Sequence, residues 1–375
     1  MPYARNVGFT IDHTQVGGSD LTNFNIVVRG TFPELKSAAN GGRIQNLDTS
    51  LFPPFPPADF VVSPNPDGSA KYDFEIADYD ATTGYIEVYF RAPTVSASVD
   101  GTFYFAYDDP TVTAYQGNQH GAWDASYRAV YHFAHGFPSE STITHAEGAV
   151  SGPTETTGVV GSALTFAGSA DVVDVSAAES GFAFPSYARP MTFEFWLQLP
   201  SGGVPGGASA TILQASSFGG NFLVYVRPDF EGKGFATVDL FTASGEAGIP
   251  CPTDGAWHHY MFAVNASGGL VVTFDGIQQS MLTMFGGALS PNTSTAVKFG
   301  NGFAPLVGTL DEVRFSNAAR PAGWGTAAYN NQKPDSTFIT SMLTIFGGAL
   351  SPAVAVLIDR LQFDRVADAS GDYHL

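Results

Sequence analysis

The chain is written in short alternating runs cut by turn formers, and that spacing leaves little room for helices. VGFTID, NFNIVVRG, DFVVS, YDFEIADYD, GYIEVYFRAP and GTFYFAY follow one another within residues 1–107, separated by clusters such as LFPPFPPADF and SPNPDGS. Runs rich in Val, Ile, Phe, Tyr and Thr suit a pleated surface, whereas Pro cannot donate to a strand ladder and Gly and Asn supply turns. With 42 glycines and 24 prolines among 375 residues, the same punctuation continues to the end. Only PELKSAANGG predicts a short helical turn. From residue 128 a second series begins, including YRAVYHF, SALTFAG, DVVDVS, MTFEFWLQLP, FLVYVRP, WHHYMFAVN and GTLDEVRFSNAA. In MTFEFWLQLP, period 2 puts Phe193 and Phe195 on one face. Length points to two or three domains. The expectation is an all-β chain of two β-sandwich domains, residues 1–107 and a jelly roll at 128–332. Residues 108–127 read as a linker or crossover, and 333–375 as a C-terminal tail.

Charge narrows the function classes. The formal net charge is −19, with 16 Lys+Arg against 35 Asp+Glu, and no basic cluster occurs. Nucleic acid is therefore not an expected partner. No apolar run approaches the ~20 residues that span a bilayer, so membrane insertion is not expected either. The lone Cys251 cannot form an internal disulfide. The N-terminus, MPYARNVGFTIDHTQVGG, carries no apolar leader core. That predicts either release without secretion, as for a virion protein freed on lysis, or a leader already removed.

Two resemblances sharpen this reading. IDHTQVGGSDLTNFNIVV, LKSAANGGRIQN, YDFEIADYDATTGYIEVYFRAPTVSAS and GTFYFAY, over residues 6–107, resemble the uncharacterised bacterial domain-of-unknown-function family 2341. The pair Tyr89-Phe90 departs from the Trp-Val of that family's pattern. The second series resembles the laminin-G-like domains of the concanavalin-A-like lectin/glucanase superfamily over about 128–330. AWDASYRAVYHF, GVVGSALTFAGSADVVDV, MTFEFWLQLP, GAWHHYMFAVNASGGLVVTFDG and VGTLDEVRFSNAARPAGW carry it, and AYNNQKPDSTF matches a segment that closes such tandem proteins. The resemblance implies glycan or protein-surface binding, often with a structural Ca²⁺. It does not name a ligand, because sites are grafted onto folds.

Each candidate chemistry has a plain structural alternative. Glucanases of the superfamily hold carboxylates on one strand face in an E-x-D-x-x-E pattern. DFEIADYD (Glu75, Asp78, Asp80) has the wrong spacing, and Asp311 and Glu312, being adjacent, are expected on opposite faces. No catalytic residue is therefore assigned. The resemblance makes Asp311 the candidate Ca²⁺ ligand, with Asp171 and Asp174 of SADVVDV completing an oxygen-rich site. The alternative is that Asp311 caps a loop through backbone hydrogen bonds. His258 and His259 point to opposite faces of a strand and cannot chelate one ion together. Trp196 and Trp257 read as core, while Trp123 and Trp324 read as a clasp where the chain enters and leaves the domain. Asn221, Tyr225 and Asp229, read as loop residues, are the candidate ligand contacts.

Neither resemblance accounts for one motif, whose first copy falls inside the laminin-G-like stretch and whose second follows it. SMLTMFGGALSP, residues 280–291, recurs as SMLTIFGGALSP at 341–352 with one change in twelve positions. It reads as a duplication scar, as a strand lying beside its twin, or as an assembly strand in which Met342, Leu343 and Phe346 contact a neighbouring subunit. Together these readings predict a non-enzymatic, surface-displayed adhesion or structural protein. A phage virion component (tail fibre or capsid decoration) with lectin-like glycan or host-surface binding is expected, working as a homo-oligomer or with other virion proteins. The alternative is a secreted bacterial surface adhesin or a glycan-binding accessory module, placed outside the cell or on its surface.

Overall fold

The computed structural model describes residues 3–51, 55–133, 149–168, 171–175, 190–215, 222–228, 236–242, 245–280, 283–286, 297–301 and 304–341. Among them the chain is all-β, with a single α-helix, α1 (Ala322–Gln332). PELKSAANGG forms two one-turn 3-10 helices, Pro33–Leu35 and Ala38–Asn40.

The first sandwich packs a four-stranded sheet on a three-stranded one. The four-stranded sheet runs Ile339–Ser341, Arg5–Ile11, Gly101–Tyr107, Phe60–Ser63; the other runs Leu21–Thr31, Tyr85–Val95, Phe74–Asp80. Alternation sends Phe9, Phe103 and Phe105 of one sheet against Phe74 and Phe90 of the other, with the Phe90 and Phe103 ring centroids 4.7 Å apart. Tyr89, the neighbour of Phe90, consequently points out of this core toward the second sandwich.

Residues 115–118 of the segment read as linker, and the described start of the tail, 333–341, lie against this first body. Tyr115 donates its amide to Asp48 and accepts the Ile76 amide on its hydroxyl, which lays residues 115–118 along the Phe74–Asp80 strand. Phe338 is fully buried, and Ile339–Ser341 adds an edge strand to Arg5–Ile11 with Phe9 opposite Ser341. The chain thus returns to its N-terminal domain after completing the second one. Met342, Leu343 and Phe346 lie outside the described residues.

The second sandwich stacks two eight-stranded antiparallel sheets. Its inner sheet, which faces the first sandwich, has Met191–Gln198 and Val307–Ser316 at its centre, flanked by Trp257–Val264 on one side and by Ser162–Ala167 and Tyr127–Tyr131 on the other. The outer sheet runs Thr283–Gly286, Gly245–Pro250, Thr237–Thr242, Phe222–Arg227, Ala210–Ala215, Val297–Phe299, Val172–Val175, Ala149–Ser151. Phe193 and Phe195 do share the core face, their centroids 4.8 Å apart, and Phe195 stacks on Tyr260. Helix α1 lies on the opposite face of that sheet. It packs Trp324 on Phe24 of the first sandwich, and its Gly325 sits so close that an added Cβ would stand 2.2 Å from Thr273 Oγ1. Helix α1 escapes a periodicity reading because it is covered from two sides and carries no single apolar stripe.

Candidate functional site

Two polar clusters stand out, one buried between the sandwiches and one on the outer sheet. The buried cluster begins with a backbone irregularity. Glu312 has φ +50°, and the pairing of Val307–Ser316 with Met191–Gln198 slips between Glu194 and Trp196. This bulge breaks strict alternation. Asp311 and Glu312, expected on opposite faces, therefore both leave the core side and point toward the first sandwich.

There Glu312 Oε1 accepts the Tyr89 hydroxyl at 2.8 Å and lies 2.6 Å from His132 Nδ1, while its other oxygen pairs with Arg314. His132 Nε2 lies 3.0 Å from Glu75 Oε1, which also accepts the Trp123 indole N–H at 2.8 Å. Arg314 reaches Glu194 at 3.5 Å, and Glu194 also faces His259 and Gln332. Burial works against the charge of His132, yet Glu312 and Glu75 on its two nitrogens raise it to about 10. Burial opposes ionisation of Glu312 too, but His132 and Arg314 outweigh it and hold the carboxyl at about 2. Glu87 is pushed up to about 7 by burial and by the nearby Glu312 charge.

Glu87, His132 and Glu312 bring ligand atoms within 4.8 Å of one another. In this structure both ring nitrogens of His132 face carboxylates, Glu312 and Glu75, and the group is arranged as an ion-pair network. Asp12, His13 and Asp100 form a second such group at a surface turn, where Asp12 accepts the Thr14 amide and His13 sits on Asp100.

The structure does not bring the candidate calcium ligands together. Asp311 is fully buried and accepts the Val159 and Val160 amides at 2.7 and 2.9 Å, and burial followed by the Glu312 charge drives its pKa far up. Asp171 accepts the Ala167 amide, and Asp174, on the outer sheet, pairs with Lys298 at 3.1 Å. The loop-capping alternative is the geometry observed for Asp311. Trp123 and Trp324 do not touch directly. Arg320 links them, 4.0 Å from the Trp324 ring and 4.9 Å from that of Tyr127, which in turn meets Trp123 edge-on. His259 is buried on Glu194, and His258 is half-buried between Asp275 and Asp254.

The second cluster lies on the far face of the outer sheet. Tyr225 stands mid-strand rather than in a loop, directly opposite Asp239, which in turn stands opposite Gly248. Tyr225 Oη donates to Glu246 at 2.6 Å and accepts from Arg227 at 2.6 Å, and Arg227 bridges to Asp239 at 3.2 Å and to Glu246. A Cβ on Gly248 would fall 1.8 Å from Asp239 Oδ1, so only glycine leaves room for this carboxylate. Burial pushes Asp239 up to about 6. Arg227 and Glu246 keep 24% and 12% of their side chains open to solvent, which makes them the accessible part of the cluster. Just past Arg227, at the same strand ends, a cavity of about 680 Å³ opens beneath the 200–207 loop, lined by Val226, Ala236, Cys251 and Thr253 among others. Asn221 and Asp229 lie outside the described residues. Arg227, Asp239 and Glu246 were not singled out from sequence. The signal was the alternation in LVYVR and TVDLFT, where Val224, Val226, Val238 and Leu240 take the core and their neighbours face out.

No curated protein matches the sequence. Among solved structures, the botulinum neurotoxin serotype D binding domain is similar at 11% identity and TM-score 0.45, over 55% of this chain and 52% of that one. Domain 4 of a GH43 extracellular arabinanase from Geobacillus stearothermophilus, in complex with arabinotriose, is similar at 16% identity and TM-score 0.42, over 54% and 97%. The chain spans about half the length of the neurotoxin domain. Residues 168–324, which include the strands carrying Tyr225, Arg227, Asp239 and Glu246, match the Laminin_G_3 model of the concanavalin A-like lectin/glucanases superfamily.

Proposed function

We propose that the chain is a non-enzymatic adhesion protein whose second sandwich binds neutral glycans through the outer-sheet face around Arg227 and Glu246. The observation that carries this reading is the Tyr225–Arg227–Asp239–Glu246 cluster: preorganised donors and acceptors on a rigid sheet, within the part of the chain that matches a lectin-type family. Sugar hydroxyls both donate and accept, and they suit a face offering a guanidinium beside carboxylates. One arginine set against two carboxylates, in a chain of net charge −19, disfavours anionic sugars. The same tie to Arg227 argues against hydrolysis, since both carboxylates serve one guanidinium rather than flanking an open cleft about 5 Å wide.

The setting we propose is display on a virion surface, as a tail fibre or capsid decoration, with a secreted adhesin as the alternative. Weak sites repeated over an assembly would give firm attachment by avidity. Neighbouring tail or capsid genes would favour the former, a leader and wall anchor the latter. The direct test is a glycan array with native chain and Arg227→Ala, alongside a reducing-sugar assay. Binding to neutral glycans that Arg227→Ala abolishes, with no sugar released, is expected. Sugar release, or no binding on the array, overturns the reading.

A further inference from the structure

The duplicated dodecamer finds a structural meaning in the place its first copy occupies. Among the described residues, Thr283–Gly286, the TMFG of that copy, is an edge strand of the eight-stranded outer sheet. It pairs antiparallel with the neighbouring strand in the register Gly245↔Gly286, Glu246↔Phe285, Ala247↔Met284 and Gly248↔Thr283. An edge strand has one partner, so it can be exchanged without opening the rest of the sheet. The second copy carries TIFG at residues 344–347, identical but for Ile345 in place of Met284. Any edge that accepts the first sequence accepts the second in the same register.

The fold decides whose edge that is. Ser341, the first residue of the second copy, ends the strand Ile339–Ser341 in the outermost sheet of the first sandwich. The layers run from that sheet to the three-stranded sheet, across the Tyr89–Glu312 contact to the inner sheet, then through the second core to the outer sheet. At about 10 Å per sheet-to-sheet step, the Gly245–Gly248 edge lies about 30 Å of stacking away. Thr344, which must stand opposite Gly248, is three residues beyond Ser341 and reaches at most about 10 Å. The chain's own edge is out of range while Ile339–Ser341 holds its place.

We propose that the 341–352 segment of one copy docks on a second copy, taking the position on Gly245–Gly248 that Thr283–Gly286 fills within a chain. Reciprocal exchange gives a closed dimer; head-to-tail exchange gives a ring or an open filament. Backbone pairing supplies the affinity, and the shared sequence supplies the register. Because the edge includes Glu246, the exchanged strand would border the cluster described above, yet the inference stands without any glycan being bound.

The test mixes two full-length variants, Gly245→Cys and Gly347→Cys, under mild oxidation. A disulfide between them can form only where one chain's tail lies opposite another chain's edge. The expected result is a covalent heterodimer on a non-reducing gel, several-fold above either variant alone. Light scattering on the unmodified full chain is expected to give at least twice the monomer mass, and Ile345→Pro, which spoils the exchanged strand but leaves the first copy intact, to return it to monomer. A monomeric parent chain, or a mixture without cross-linked product although both variants melt like the parent, overturns the proposal. So does an Ile345→Pro chain that keeps the parent's mass.

Discussion

Tyr89 and Glu312 stand 223 positions apart in sequence and 2.8 Å apart in space, hydroxyl to carboxylate, both fully buried. That contact joins the two sandwiches, and the groups around it come from both sides. Glu75 and Glu87 belong to the first, and His132, Glu194 and Arg314 to the second. Neither body satisfies this network alone. Asn331 of helix α1 adds a second tie, its side-chain amide pairing with the backbone N–H and C=O of Val27 at 2.8 and 3.0 Å. The outer-sheet face and the first sandwich are therefore held in one fixed relation.

Removing single members should separate charge from packing. Tyr89→Phe deletes the hydroxyl's contacts with Glu312 and, at 3.2 Å, with Glu87, and leaves Glu312 with His132 and Arg314, so a loss of about 1–2 kcal/mol is expected. Glu312→Gln keeps an acceptor for Tyr89 but strips the shared counter-charge from two buried cations, and about 3–5 kcal/mol is expected. The two should be non-additive, since they share a partner. Equilibrium denaturation checks both; equal losses would show that charge pairing is not what holds this interface.

The pH dependence has a definite sign. Glu312 is held at about 2, below its ordinary 4.5, so its contribution is present above pH 4.5 and fades as pH falls toward 2. His132, raised from 6.5 to about 10, contributes fully below pH 6.5 and fades as pH climbs to 10. Glu87, raised from 4.5 to about 7, binds its proton more tightly in the folded state, so its contribution is lost between pH 4.5 and 7. Stability should peak near pH 4.5–5 and decline toward 10, with Glu87→Gln flattening the slope below 7. Melting temperatures across that range check this, and a maximum above pH 8 would contradict it.

Much of the fold was legible because period 2 survives in most strands. MTFEFWLQ sends Phe193, Phe195 and Leu197 to the core, and the pairing of Tyr127–Tyr131 with Val313–Ser316 joins the start of the second series to its last strand. The interface was not legible, for two physical reasons. The bulge at Glu312 shifts the alternation by one, which no composition rule signals and which places Asp311 and Glu312 together. Helix α1 is dictated by what surrounds it: Gly325 is there for closeness to Thr273, although glycine is a poor helix former.

That closeness reverses a usual expectation. Glycine-to-alanine inside a helix ordinarily stabilises by about 1 kcal/mol. At Gly325 the new Cβ would stand 2.2 Å from Thr273 Oγ1 and 3.1 Å from Met261 Cε, and Thr273 is short, branched and buried. Gly325→Ala should therefore destabilise by about 1–3 kcal/mol through overpacking. Thermal unfolding measures it, and adding Thr273→Ser, which keeps the clashing hydroxyl free to rotate, should recover part of the loss. A stabilised single variant would mean that the helix sits farther from the sheet.

Asp311 offers a clean choice between its two readings. Its Oδ2 accepts two backbone amides, burial pushes its pKa far up, and Oδ1 meets no hydrogen-bond partner among the described residues, so the role to be tested is that of the single acceptor oxygen. Asp311→Asn preserves that oxygen but buries an amide NH2 where Oδ1 has no partner and should cost about 1–2 kcal/mol, whereas Asp311→Ala leaves the Val159 and Val160 amides unpaired and should cost about 2–4 kcal/mol. A calcium ligand would behave differently. Neutralising it would weaken the cation site, and the melting temperature of the native chain would rise with added Ca²⁺ and fall with chelator. The expected outcome is equal melting curves with Ca²⁺ and with chelator for native chain and Asp311→Asn alike, because Asp171 and Asp174 are engaged elsewhere. A chelator-induced drop in the native chain that Asp311→Asn removes would return this residue to the metal.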